Sequence, residues 1–237
     1  MNDEFFSALI GALNQLETAV SDEATKKFGL YADMLIEKNK FLNLTAITNP
    51  QEVAVKHFAD SLAVLSFIDI KPSAHVADVG TGAGFLGVPL LIARQDLNIS
   101  LIDSTNKKLQ FRKEACTHMG INPKIKHIRA EDAGKNPLYR EKYDVVVSRA
   151  VADLKVLSEY CLPLVKPGGI FVSYKGEAEK ELKEAKNAIA KLSGRAEATY
   201  EYELSDFGKK TLIIIRKISQ TSPKYPRSST QISKNPL

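Results

Sequence analysis

Residues 76–90 read Val-Ala-Asp-Val-Gly-Thr-Gly-Ala-Gly-Phe-Leu-Gly-Val-Pro-Leu, and their reading decides the fold. An apolar strand runs into glycines at alternate positions, Gly80, Gly82 and Gly84, and an apolar helix follows. Glycine takes positive φ without strain and leaves no Cβ between the main chain and a ligand. A strand that ends in such a loop and restarts as a helix marks the ligand-binding corner of an open α/β sheet. Asp78 stands two residues ahead of the first glycine, and Asp103 ends the next strand.

The chain on either side of this corner has two rhythms. Residues 1–70 read as helices: Phe5, Phe6, Leu9, Leu13 and Leu16 recur at helical spacing, and Phe28, Tyr31, Leu35 and Ile36 form a second stripe. A third stripe over 51–66 carries Val53, His57, Leu62 and Leu65, with Pro50 suited to its first turn. Residues 42–50 form an irregular connector. After Pro72, strands at about 75–79, 98–102, 125–128, 143–147 and 170–174 alternate with helices at 86–94, 106–119, 153–165 and 177–192. This alternation gives a mostly parallel sheet with helices on both faces. Pro167-Gly-Gly reads as a break before the fifth strand. Two final strands, about 197–204 and 210–216, have no helix between them, so an antiparallel hairpin closes a seven-stranded Rossmann-like α/β sheet. The expected organisation is a helical extension over 1–70 packed on the core, a core domain over 71–218, and a basic, flexible tail over 219–237.

Composition narrows the setting. Apolar residues make up 44% of the chain, enough for a sizeable core. The two cysteines, Cys116 and Cys161, form no CxxC pair and read as thiols of a reducing compartment. The acidic start, Met-Asn-Asp-Glu-Phe-Phe, lacks the basic opening of a signal peptide. No apolar run approaches the ~20 residues a membrane span needs. A soluble cytoplasmic protein is expected. The four histidines show no metal-ligand spacing, so no metal is expected. From Phe207 onward there are seven basic residues and no acidic one, so the whole net charge of +5 is carried by that end. A basic segment holding Tyr225 suits a phosphate backbone.

The glycines admit two registers. Gly82, Gly84 and Gly87 give the GxGxxG of dinucleotide binders, and Gly80, Gly82 and Gly84 give GxGxG; Asp103 serves the ribose hydroxyls in either. S-adenosylmethionine is favoured on three grounds. A strand ending at Val79 makes Gly80 the first loop glycine. Asp78 suits the methionine ammonium, whereas it would repel a pyrophosphate. The order Leu164-Val-Lys-Pro-Gly-Gly, strand, helix and hairpin resembles the end of a class I methyltransferase. Arg129-Ala-Glu follows the third strand, where the loop of a class I methyltransferase borders the adenine, so Ala130 and Glu131 are candidates there, with a plain surface loop as the competing reading. Missing motifs narrow the methyl acceptor. No Asn/Asp-Pro-Pro-aromatic run follows the fourth strand, where Ser148-Arg-Ala-Val stands, and neither cysteine lies where a pyrimidine-attacking thiolate would. Guanine N7 fits, because its in-plane lone pair carries no proton to remove.

Seven segments then occur in order: Asn43-Leu-Thr-Ala-Ile, Val55-Lys-His-Phe-Ala-Asp-Ser-Leu, Asp78-Val-Gly-Thr-Gly-Ala-Gly-Phe, Asp103-Ser-Thr-Asn-Lys-Lys, Arg129-Ala-Glu, Ser148-Arg-Ala-Val and Lys224-Tyr-Pro-Arg. The sequence resembles the bacterial 16S ribosomal RNA guanine-N7 methyltransferase G family, also called glucose-inhibited division protein B, from about residue 30 to the end. The resemblance implies a class I fold with an N-terminal helical extension. It also implies methyl transfer from S-adenosylmethionine to N7 of one guanine in small-subunit RNA. A monomer acting on 16S RNA in a small-subunit precursor or particle is the expected form. It places Gly80, Phe85, Ala130, Glu131 and Arg149 at the cofactor, with Asp78, Gly82, Gly84 and Asp103 beside them by position in the sheet. Asn43, His57, Arg149 and Lys175 are candidates for the catalytic rim, and Lys224, Tyr225 and Arg227 for RNA binding.

Structural roles compete for several of these residues: Asp78 as a cap, Asn43 as a turn residue, His57 as a hydrogen-bonded helix residue. A methyltransferase for another RNA, a protein or a small molecule is the alternative function. Two departures from the family stand out. Leu86 replaces a proline after the loop, and the segment beyond Arg227 lacks the family's glycine and proline pattern.

Overall fold

The computed structural model describes residues 1–176, 178–204 and 207–237. Two helices, α1 (Asp3–Gln15) and α2 (Asp22–Leu42), open the chain. Each starts on a side-chain cap: Asn2 accepts the Phe5 N–H and Ser21 accepts the Ala24 N–H, satisfying donors that a first turn leaves free. A nearly continuous helical segment follows, comprising α3 (Pro50–Glu52), a π-helical stretch (Val53–Ala59), α4 (Asp60–Leu62) and α5 (Val64–Phe67). The third expected α-helix is thus interrupted: the Asp60 N–H reaches back five residues to the Val55 carbonyl. Wide turns of this kind gather at functional sites, and this one carries His57 and delivers Asp60.

The core runs β1 (His75–Val79), α6 (Gly87–Ala93), β2 (Asn98–Asp103), a 3-10 turn (Asn106–Lys108), α7 (Leu109–His118), β3 (Lys124–His127), α8 (Ala130–Lys135), β4 (Tyr143–Arg149), α9 (Leu154–Cys161), β5 (Val165–Lys175), α10 (Glu179–Lys191), β6 (Gly194–Glu203) and β7 (Lys209–Lys217). The seven strands lie in the order β3-β2-β1-β4-β5-β7-β6. The first five are parallel, and β7 inserts antiparallel between β5 and β6. Pro167-Gly-Gly is not a break ahead of the strand but lies within β5, where the register against β4 shifts. The chain order reverses between β1 and β4, so the carboxyl ends of these strands open the crevice where ligands of such sheets bind.

Side chains alternate across the sheet with the period of two that a strand imposes. Val76, Leu101, Val147 and Val172 join Phe5, Phe28, Tyr31 and Phe58 of the N-terminal helices in one buried cluster. Ala77, Val146, Phe171 and Ile213 join Leu154, Leu157, Ala185 and Ile189 of α9 and α10 in the other. Among the described residues, no helix is long and apolar enough to cross a membrane.

The segment after β7, expected as a flexible tail, is packed and ends in α11 (Ser229–Lys234). Tyr225 and Ile232 are buried, and the Arg140 guanidinium donates to the carbonyls of Gly134, Thr221, Ser222 and Tyr225. Buried Tyr225 and Ile232, together with the Arg140 contacts and the Arg227 pairing with Glu159, hold the segment in place.

Candidate active site

β1 ends at Val79, and Gly80, Gly82 and Gly84 take φ of 74°, 58° and 99°. A Cβ on Gly80 would collide with Val151, and one on Gly84 would lie 2.7 Å from Val88 Cγ2. Side chains grip the loop from several elements. The Tyr31 hydroxyl donates to the Ala83 carbonyl at 2.6 Å, Arg112 Nη1 to the Gly82 carbonyl, and Ser61 Oγ and Arg149 Nη2 to the Phe85 carbonyl. Asp103 Oδ2 accepts the Gly82 N–H at 2.7 Å, and Asp78 Oδ2 accepts the Gly87 N–H at 2.8 Å. Both glycine registers have a structural meaning. Gly80, Gly82 and Gly84 shape the turn, while Gly87 brings α6 against β1 and β2, where a Cβ would strike Leu101.

Three cavities run along the carboxyl ends of β2, β1, β4 and β5. The first, about 280 Å³, is lined by Val79, Asp103, Ala130, Glu131, Tyr160 and Ser229 among others. The second, about 480 Å³, takes in Lys56, His57, Asp78, Phe85, Lys108 and Arg149. The third, about 230 Å³, is lined by Asp60, Tyr174, Lys175, Tyr202 and Lys210 with Arg149. Gly80 belongs to the first and second, and Asp60, Arg149 and Lys210 to the second and third, so the three form one series.

The electrostatics are set by burial. Asp78 is 1% exposed, and desolvation pushes its carboxyl up to about 6 against the pull of the Gly87 N–H, Arg149 and Arg112. Asp103 accepts the Thr105 N–H on its other oxygen at 2.6 Å. His57 stacks on Phe85, with centroids 3.9 Å apart and planes at 3°, and its Nε2 lies 2.8 Å from Thr45 Oγ1. Burial, then Arg149 and Lys56, push this imidazole down to about 3, so the ring is neutral at physiological pH. Buried Asp60 accepts from Arg149 Nη1 on Oδ2 and from the Tyr202 hydroxyl on Oδ1 at 2.7 Å. Arg149 also donates to the Lys56 and Phe85 carbonyls, both at 3.2 Å, so its fork is fixed on several sides.

Most sequence candidates converge here. Asp78, Gly80, Gly82, Phe85, His57 and Arg149 line the second cavity, and Asp103, Ala130 and Glu131 the first. Gly84 sits behind the loop, against Val88 and Tyr31. Lys175 lines the third cavity, but its ammonium is held by the Ala152 carbonyl and Glu181, both at 2.7 Å. Asn43 lines none of the three: it is the exposed left-handed cap that ends α2, at φ 47° and ψ 54°. Thr45 of the same connector, pinned by two 2.9 Å bonds to Asn39, reaches His57 in its place. Lys224, Tyr225 and Arg227 also lie outside the cavities. Tyr225 is buried with the Lys224 ammonium 5.2 Å above its ring, and Arg227 is engaged by Glu159.

Asp60, Tyr202, Lys56, Lys108, Lys210, Tyr160 and Ser229 escaped the sequence reading. Asp60 left a signal: a carboxylate inside the apolar run from Val53 to Leu62, three residues after His57, needs a partner. The hairpin residues left none.

The family model described as GidB, rRNA small subunit methyltransferase G, matches residues 24–206. The ribosomal RNA small subunit methyltransferase G of Desulforamulus reducens is 45% identical over 229 residues, covering 95% of both chains. That of Clostridium novyi is 43% identical and covers the whole of both chains. Among solved structures, the ribosomal protein L11 methylase from Lactobacillus delbrueckii subsp. bulgaricus matches with a TM-score of 0.52 at 17% identity, over 69% of this chain and 79% of that one, a likeness of fold. The family match spans the glycine corner and the Lys-His-Phe and Ser-Arg-Ala-Val segments that build the second cavity. This chain belongs to the rRNA small subunit methyltransferase G family.

Proposed function

We propose that the chain transfers the methyl group of S-adenosylmethionine to N7 of a guanine in 16S ribosomal RNA. The observation that carries this reading is the cavity series at the switch between β1 and β4, with carboxylates at one end and the Arg149–Asp60 pair at the other. The donor set fits the cofactor. In the first cavity Asp103 suits ribose hydroxyls, and Ala130 and Glu131 suit the adenine. At the glycine turn, Asp78 is a buried carboxylate that an ammonium group would stabilise. The bound cofactor supplies an electrophilic methyl on a sulfonium.

The chain's own part is alignment. N7 carries no proton, so no general base is required, and the neutral, Thr45-bound His57 is suited to shape the second cavity with Phe85. Fixing acceptor and methyl in line contributes roughly 7–11 kcal/mol in good cases. Arg149, locked by Asp60, orients the Phe85 carbonyl and the cavity wall. Lys56, Lys108 and Lys210 line the second cavity and suit the RNA backbone, with exposed Lys224 outside it. Phosphate contacts of this kind make affinity fall steeply with salt. In this reading the protein acts as a cytoplasmic monomer on small-subunit RNA, free or in a precursor particle.

The test is incubation with tritiated S-adenosylmethionine and undermethylated small-subunit RNA, followed by nuclease digestion. Label in 7-methylguanosine is expected. Label in protein, in small molecules or in another nucleoside overturns the assignment.

A further inference from the structure

Residues 219–237 are built into the molecule at the end of the cavity series. The Arg227 main-chain N–H and Nε donate to Glu159 Oε1 at 2.8 and 2.9 Å, and Nε and Nη2 donate to Oε2 at 3.2 and 2.7 Å. Glu159 is 0% exposed. A carboxylate buried that deeply is tolerated only with its charge matched and its lone pairs satisfied, so this pairing fastens the segment to α9. Pro226 lies against α8, where a Cβ on Gly134 would come within 2.9 Å of its Cγ. Arg140 ties α8 to the same segment by donating to Gly134 and Tyr225, both at 2.8 Å. Ser228 then caps α11 with a reciprocal bond to Gln231.

The ion pair has a residue of the first cavity close on each side. Tyr160 follows Glu159 directly, and Ser229 stands two positions after Arg227. Both line that cavity with Asp103, Ala130 and Glu131. We infer that the carboxyl-terminal segment is one wall of the adenosine compartment: Ser229 and Tyr160 contact the adenosine half of S-adenosylmethionine, and the Arg227–Glu159 pair positions them. This inference rests on the methyltransferase reading above. It gives Arg227 a role in cofactor affinity, where its charge alone suggests an RNA contact. An ammonium at position 227 cannot reproduce the forked contact to both Glu159 oxygens.

Calorimetry with S-adenosylhomocysteine and with 5′-methylthioadenosine tests it on the full chain. Ser229→Phe places a ring in the first cavity and is expected to weaken both ligands by at least about tenfold, with RNA affinity held within about twofold. Arg227→Lys is expected to raise the KM for S-adenosylmethionine severalfold, a larger change than in kcat or in the KM for RNA. Ser229→Cys puts a single accessible thiol at the proposed wall, because Cys116 and Cys161 are buried. Its alkylation by iodoacetamide is expected to slow when S-adenosylhomocysteine is added. Wild-type affinity in Ser229→Phe, an alkylation rate insensitive to the ligand, or loss of RNA affinity with cofactor affinity intact each overturns the inference. A wild-type chain that binds neither ligand overturns the methyltransferase reading itself, which separates the two failures.

Discussion

The Tyr31 hydroxyl and the Ala83 carbonyl, 52 residues apart in the chain, are joined by a buried 2.6 Å hydrogen bond. Tyr31 belongs to α2 and Ala83 to the glycine loop, so the helices ahead of the sheet help hold the loop that lines the second cavity. Ser61, in α4 of the helical segment leading to β1, does the same at the Phe85 carbonyl. The N-terminal extension is therefore part of the site's support.

Tyr31→Phe isolates that bond. The ring keeps its packing on Phe58 and Phe111, with centroids 5.5 and 5.8 Å away, and only the hydroxyl is lost. Removing a buried donor from its acceptor costs about 1–3 kcal/mol. Urea denaturation is expected to show that loss, and calorimetry a weaker affinity for S-adenosylmethionine. Unchanged affinity would mean that the loop is held without this contact.

The strands and the glycine corner were legible because their constraints are local. Alternation marks a strand, and a residue that must take positive φ is written as glycine. The left-handed cap at Asn43, read from its motif as a rim residue, has a local cause too, since Asn tolerates that conformation better than most residues. The pairings were not legible. Arg149 meets Asp60 across 89 residues and Arg227 meets Glu159 across 68, and no spacing rule links such positions. Arg227 reads from its charge as a candidate RNA contact, and its pairing with buried Glu159 is visible only in the fold. The π stretch was hidden for a related reason: its apolar residues fit a 3.6-residue stripe, and only packing decides where the extra residue is absorbed.

The loop glycines are unequal, and their substitutions are expected to separate. At Gly82 the nearest atom to an added Cβ is Lys108 Nζ at 4.0 Å, and φ of 58° lies in the left-handed region that other residues can enter. Gly82→Ala is expected to cost about 1–2 kcal/mol. Gly84, at φ 99°, also brings the Cβ to 2.7 Å from Val88 and 3.1 Å from the Tyr31 hydroxyl. Gly84→Ala is expected to cost more, about 3 kcal/mol or above, from strain plus overpacking. Thermal unfolding of the two variants checks the order; equal losses would mean that the space behind the loop is not limiting.

Asp60 is expected to act through Arg149. Its carboxylate takes the guanidinium on one oxygen and the Tyr202 hydroxyl on the other, with side chains 6% and 17% exposed for Asp60 and Arg149. Asp60→Asn leaves a largely buried guanidinium without its counter-charge, a loss of about 3 kcal/mol at most for a pair that keeps some solvent. A double-mutant cycle with Arg149→Gln is expected to give a coupling of at least about 1 kcal/mol in urea denaturation. The single variant is also expected to lower kcat more than it raises the KM for S-adenosylmethionine. Additive losses in the cycle would mean that the two residues do not act as a unit.

Asp78 is expected to give the site a pH dependence of unusual sign for a carboxylate. Its native pKa of about 6 lies above the ordinary value of 3.8, because burial disfavours the ionised form. Between pH 4 and 6 the native protein therefore holds this proton while the unfolded chain releases it. Its contribution to stability falls as pH rises through that window and is level above it, with a span on the order of 3 kcal/mol. Asn at this position still offers an oxygen to the Gly87 N–H but does not titrate. The stability of wild type relative to Asp78→Asn, measured by urea denaturation, should fall from pH 4 to pH 6. An ammonium group brought beside Asp78 pulls its pKa back down. S-adenosylmethionine binding near pH 5.5 should then release protons, and its affinity should rise toward neutral pH in wild type only. Calorimetry in buffers of different ionisation enthalpy measures that release. A wild-type protein that releases no more protons than Asp78→Asn would remove Asp78 from the methionine end of the cofactor and leave it as the cap of α6.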